Sequence, residues 1–170
     1  FSVVGFAANA TAQESTELPQ LSIADQLGIP GSGGGLGGDK ATFSAKYELV
    51  EGSQRGRVSV TATMELNWHL YSVTQKPGGP QRSVIKLKDK AQAKLTGAFR
   101  PDVAPHIKNY EFFDVPVEEH DGAVVWTAPF EFADGVDAVK AELGLVFTGQ
   151  VCQDEGACIP ISNKAIVATF

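Results

Sequence analysis

The stretch VSVTATMEL, Val58 to Leu66, decides how the rest of the chain is read. Val58, Val60, Ala62, Met64 and Leu66 alternate with Ser59, Thr61, Thr63 and Glu65. A period of two turns one set of side chains toward a core and the other toward water, the pattern of a half-buried β-strand. The same period runs just upstream, where Phe43, Ala45, Tyr47 and Leu49 alternate with Ser44, Lys46 and Glu48. Further short strands are expected near Ser83–Leu87, Lys94–Phe99, Ala123–Phe132, Ala141–Val151 and Ile159–Phe170. Turn residues part them: KPGGP at 76–80, HDG at 120–122 and DEG at 154–156. In the second of these, His120 reads as a turn residue. The segment DGVDAVKAELG, Asp134 to Gly144, offers one helical turn at most, and no segment keeps a helical period for about twelve residues. About seven short strands with Gly/Pro turns between them predict an all-β fold, an immunoglobulin-like antiparallel β-sandwich. The Cys…Trp…Cys spacing of antibody domains is missing, so that likeness is one of architecture.

Composition limits what such a fold does. The chain has 170 residues, 43% of them apolar, which suits one domain with a real core and a tail. A formal charge of -6 and a pI near 5.0 exclude a nucleic-acid partner, since no basic patch is present to neutralise phosphates. No apolar run is long enough to predict a membrane-spanning helix. The start, FSVVGFAANATAQ, resembles the end of a signal peptide with small residues before a cleavage point, so residues 1–12 are expected to be a signal-peptide remnant. Residues 13–40 are expected to be a Gly-rich linker, with seven glycines between Gly28 and Gly38. A phosphate-binding loop is a poor fit there, because Asp39 precedes Lys40 and no strand comes before. The folded domain is therefore placed at 41–170.

The chemistry-bearing segment is FTGQVCQDEGACIPI, Phe147 to Ile161, which holds the only two cysteines. Five intervening residues can form a hairpin that sets Cys152 opposite Cys158, at a separation a disulfide can span. An even cysteine count fits an oxidising compartment. Two readings stay open on the residues alone. One is a structural staple, which closing so short a loop would make worth roughly 2–2.5 kcal/mol; the other is an accessible disulfide that exchanges. His69, His106 and His120 show no metal-ligand spacing, and no metal is expected. NWHLYSV, Asn67 to Val73, reads as core at a strand end, with Trp68 and Leu70 on one face and His69 and Tyr71 on the other. NYEFFDVP, Asn109 to Pro116, reads as a loop whose aromatics cover something.

Together, WHLYS, the turn QKPGGP, the aromatic mid-chain loop and the late GQVCQDEGACIP resemble the N-terminal periplasmic domain of the thiol:disulfide interchange protein DsbD family. The resemblance spans Ala41 to Phe170, and its most specific part is Cys152 through Pro160; Ile161 stands where a second proline often follows. It implies an immunoglobulin-like fold and a redox pair, Cys152 and Cys158, covered by an aromatic for which Phe112 or Phe113 is the nearest match. It implies that Cys158 bonds to the downstream partner and Cys152 resolves. It also implies a membrane-embedded electron-donor domain, in the same or another chain, and periplasmic thioredoxin-like acceptors, including those of disulfide isomerisation and cytochrome c biogenesis. The expected function is that of a protein-disulfide reductase module without cofactors, periplasmic or otherwise extracytoplasmic, tethered to the inner membrane when part of a longer chain. The rival is a non-catalytic extracytoplasmic binding sandwich with a structural disulfide. Asp154 and Glu155, inside the cysteine loop and with no basic residue between Gln150 and Asn163, oppose thiolate formation. The thiols are accordingly expected to titrate at or above about 8.5 unless the fold brings in a base, with Lys76, Arg100 and Lys108 as candidates.

Overall fold

The alternating stretch forms strand β2, Arg55–Met64, whose Val58, Val60 and Ala62 are fully buried in the computed structural model of the chain. The structure describes residues 1–2, 39–88, 92–154 and 156–170. The expected signal remnant and linker lie outside these residues from 3 to 38, and so does Glu155. Among the described residues there is no helix. The strands are β1 (Ala41–Leu49), β2, β3 (Trp68–Tyr71), β4 (Val84–Leu87), β5 (Ala93–Leu95), β6 (Arg100–Pro101), β7 (His106–Lys108), β8 (Val117–Asp121), β9 (Ala123–Phe132), β10 (Leu143–Gln153) and β11 (Cys158–Thr169). Asp134–Gly144 forms turns and then enters β10 at Leu143, with Ala141 N donating to Asp137 O at 2.9 Å.

The strands pair in the order β5-β9-β2-β1-β11-β10-β3-β8-β7, with β4 also on β10 and β6 on β9. All pairs are antiparallel except β1 with β11, where Ala45 faces Ala168. The path folds over on itself. Trp126 of β9 and Phe147 of β10 have β2, β1 and β11 between them along the ladder, yet their ring centroids are 6.0 Å apart. Phe43 of β1 meets Phe147 at 4.5 Å. The two halves are thus the layers of a sandwich, and the side chains between them form one core that includes Tyr47, Trp126, Phe130, Leu145 and Phe147. This is the immunoglobulin-like all-β fold that the alternation predicts.

Two details differ from the pattern. Leu66 was placed on the inward face by the period, but β2 ends at Met64 and Leu66 is 88% exposed. The strand stops because the chain must turn there, with Asn67 at a φ of 65° and Trp68 N donating to Glu65 O. His120 is not in a turn: it is a buried residue of β8, and the turn is made by Gly122 at a φ of 63°.

Candidate functional site

Strands β10 and β11 form a hairpin whose last registered pair is Cys152 with Cys158. A turn closes it, with Gly156 N donating to Gln153 O and Gln153 N to Ala157 O. Facing residues of an antiparallel pair point to the same side of the sheet. The two cysteines are disulfide-bonded, with Cα atoms 4.0 Å apart. Their surroundings are unequal: Cys152 is 2% exposed, whereas Cys158 lies at the surface with Ile159 and Pro160.

The row continues on the other side. Cys152 is in register with His69 of β3, and His69 with Asp121 of β8, so Cys158, Cys152, His69 and Asp121 lie in line across four strands. Two residues along, Tyr71 faces Glu119 on that same side. The opposite side of these strands carries Leu70 and Val151, which belong to the main core. The sheet here is covered on both faces. Its second cover is the segment after β7, whose Tyr110 and Phe113 pack against a small cluster of Tyr71, Val117 and Cys152. This is why every residue from His69 to Tyr71 is buried, and why β10 loses its alternation only at Val151 and Cys152.

The aromatic loop is fastened from both ends. Tyr110 donates from its hydroxyl to Glu119 Oε1 at 2.9 Å, and Phe113 N donates to Tyr110 O. Beyond the loop, the buried Gln75 donates from Nε2 to Pro116 O and accepts at Oε1 from Glu118 N. Phe113 is half-buried on the cysteine cluster. Phe112 is 76% exposed and stacks on Tyr110 and Phe113 from outside.

Beneath that cover lies a polar network that the linear sequence does not reveal. Glu119 is 3% exposed, and Lys108 Nζ stands 2.6 Å from its Oε2, an ion contact without an aligned hydrogen bond. The Glu119 contact raises the Lys108 pKa above its ordinary value against the opposing effect of burial. Burial first, and then Glu119 and Tyr110, push the Tyr71 hydroxyl up to about 12, so Tyr71 is a neutral O–H group; a hydrogen bond with Gln150 works the other way. Burial followed by Glu119 also raises Tyr110. His69 is buried among these groups. Its Nε2 is 3.3 Å from the Tyr71 hydroxyl and 3.8 Å from Glu119 Oε1. Its Nδ1 donates to Asp154 Oδ1 at 3.1 Å, since a carboxylate only accepts.

The structure therefore gathers Cys152, Cys158, Asp154 and Phe113, with Phe112 at the outer edge. Of the three bases named from sequence, Lys108 reaches this network through Glu119, while Arg100 pairs in register with Thr127 on β9, in another part of the sheet. Sequence reasoning placed Tyr110 in the covering loop but missed its bond to Glu119, and it missed Glu119 and Gln75 and passed over His69. The one signal available was that His69 and Tyr71 share a face; the register that sets His69 beside Cys152 cannot be read from spacing.

An immunoglobulin-like domain with one hairpin disulfide, one sulfur under an aromatic loop and the other at the surface, is the class that fold and site define. The family described as "Thiol:disulfide interchange protein DsbD, N-terminal" matches residues 38–169, and the chain belongs to that family. Among solved structures, the N-terminal periplasmic domain of ScsB from Proteus mirabilis is similar at 15% identity with a TM-score of 0.53. That match covers 76% of this chain and 46% of the other, so the chain spans less than half of that structure's length. The reduced N-terminal domain of Neisseria meningitidis DsbD matches at 17% identity and a TM-score of 0.42, over 86% of this chain and 98% of that one. Among curated proteins, none matches the sequence. At that identity the ScsB likeness supports the fold alone, and the family match carries the identification.

Proposed function

We propose that this domain relays reducing equivalents by thiol–disulfide exchange through Cys152 and Cys158, in the periplasm, as part of a protein-disulfide reductase. The observation that carries the reading is the unequal exposure of the pair under the aromatic loop, in a chain of this family. In the reduced domain the Cys158 thiolate attacks a sulfur of the partner's disulfide, and the partner's other sulfur leaves as a thiolate. Cys152 then attacks Cys158, the mixed disulfide breaks toward the partner, and the domain is left oxidised while the partner becomes a dithiol. Cys158 takes the first role because it is the sulfur a partner can reach; Cys152, at 2% exposure, is the resolver. The acceptors are periplasmic thioredoxin-like proteins, among them those serving cytochrome c biogenesis, and the donor is a membrane-embedded domain of the same or another chain. Among the described residues no helix is long and apolar enough to cross a membrane, so such a donor lies outside them. Phe113, with Phe112 outside it, covers the pair between encounters.

A redox titration of Cys152–Cys158 against thioredoxin and glutathione buffers tests this. The relay equilibrates with the buffer at a potential near that of its partners. A disulfide that stays closed across the whole range would leave a structural staple in a non-catalytic binding sandwich.

A further inference from the structure

His69 is the buried titratable group beside the disulfide that the relay chemistry above leaves without a role. We propose, on the basis of that relay, that His69 is a positioning residue for the resolving step: held between Asp154 and Glu119, its imidazolium provides the positive charge against which the Cys152 sulfur ionises.

The geometry gives the reasons. His69 is the cross-strand neighbour of Cys152 on the side away from Cys158, so their Cβ atoms project from the same face about 5 Å apart. The charged groups around this point come from every element packed there. Strand β8 contributes Glu119 and, in register with His69, Asp121; the cysteine loop contributes Asp154; β7 contributes Lys108 through Glu119. With a neutral imidazole these amount to three carboxylates against one ammonium, a field that opposes a buried thiolate. A proton on His69 leaves three carboxylates against two cations and sets the added positive charge next to the sulfur, and both ring nitrogens already face carboxylates that would pair with it, at 3.1 and 3.8 Å. Tyr71, on the same strand and packed on Cys152, orients Nε2 through its hydroxyl. In the step itself, Cys152 gives its proton to solvent water and its electron pair forms the bond to Cys158. The bond from Cys158 to the partner breaks, its electron pair leaves on the partner's sulfur, and that thiolate takes a proton from water. The charge on His69 is needed only while Cys152 is a thiolate, and Asp154, half-exposed, links the ring to solvent.

The test follows the two steps separately in the purified reduced chain, with an aromatic disulfide, dithiobis-nitrobenzoate, as probe. The first nitrothiobenzoate is released when Cys158 attacks, the second when Cys152 resolves. In His69→Gln the second release is expected to be about ten-fold slower at neutral pH and to rise with a single ionisation at or above about 8.5. It should converge with wild type at about one to two pH units higher, where Cys152 is a thiolate in both proteins. In the unmodified chain, NMR of the His69 ring should show an inflection at the ionisation of Cys152 that is absent in the oxidised protein. A profile in His69→Gln parallel to wild type at every pH overturns the inference while leaving the relay intact, and so do identical ring titrations in the two redox states. A wild-type chain that releases neither equivalent overturns the relay and this inference with it.

Discussion

Two regions of this domain are built on different terms. In the layer formed by β1, β2 and β9, nine residues of β2 stay in register with β9, and the buried inward side chains are aliphatic or aromatic, none of them charged. The outward side chains of β2 are polar, and Ser59 pairs with Thr127 of β9 at 3.2 Å. Around β3, β8 and the end of β10, by contrast, the buried residues include His69, Ser72, Gln75, Ser83, Glu119 and His120. Most of these hold a specific partner: Ser83 donates to Tyr71 O, Gln75 clamps Pro116 and Glu118, and Glu119 binds Lys108 and Tyr110. The first region gains stability from area removed from water and is indifferent to chemistry. The second spends stability on polar groups that surround the disulfide, because burying an ion pair at best roughly breaks even against apolar packing. Stability and exchange should therefore separate by region when residues are changed.

The largest separation is expected at Cys158→Ser. Turnover of a thioredoxin-like partner should be lost completely, while stability falls by no more than about 2–2.5 kcal/mol, the worth of closing so short a loop. Retained exchange in this variant would remove Cys158 from the reaction. The opposite result is expected at Trp126→Ala. Trp126 is fully buried between the layers, against Phe147, so a cavity there should cost about 3–5 kcal/mol by urea unfolding. The folded fraction should exchange at the wild-type rate. A slowed rate at full folding would mean that the two regions are coupled through the core.

The same division explains what the sequence made legible. A strand with one wet face shows a period of two, so β2, β9 and β10 could be placed closely: Ala123–Phe132 is β9 to the residue. Where the aromatic loop covers the second face, alternation disappears, and WHLY reads as a hydrophobic run with a histidine in it. The cysteine pair was visible because hairpin spacing is local. His69 and Glu119 were not, since they come from β3 and β8 and meet Cys152 only through the register of those strands, and Lys108 of β7 was named only as one of three candidate bases. Leu66 erred in the other direction: periodicity has no means of signalling that the chain turns at Asn67.

The cover itself should give a smaller effect, and an uneven one. Phe113 packs on the Cys152 cluster, while Phe112 stands outside it. Phe113→Ala should raise the alkylation rate of the reduced pair several-fold, and Phe112→Ala should change it little, with the double variant close to Phe113→Ala alone. Equal rates in all three variants and wild type would assign the loop to packing alone. A Phe112→Ala effect as large as that of Phe113→Ala would show that the outer ring shields the exposed Cys158.

The smallest effect concerns a second histidine, one register step from the first. His69 pairs with Asp121 and faces the loop, whereas His120 pairs with Leu70 and faces the core. Its ring stands edge-on to Trp126 at 5.9 Å, and its Nε2 has no hydrogen-bond partner among the described residues. Burial, the leading cause, lowers its pKa below the ordinary 6.5; Asp102 works against this, His106 with it, and Glu118 and Asp121 against. The folded protein thus keeps His120 neutral where the unfolded chain takes up a proton. Between the unfolded value and the lower folded one, only the unfolded state is protonated, so stability must fall as pH drops through that window. Urea midpoints taken from about pH 7 down to about pH 5, above the range of most carboxylates, should decline in wild type. They should decline less in His120→Leu, which keeps an apolar contact with Trp126 and has no proton to gain. Parallel slopes in the two proteins would show that His120 is protonated within the fold, with Asp102 and Glu118 holding its charge despite its burial.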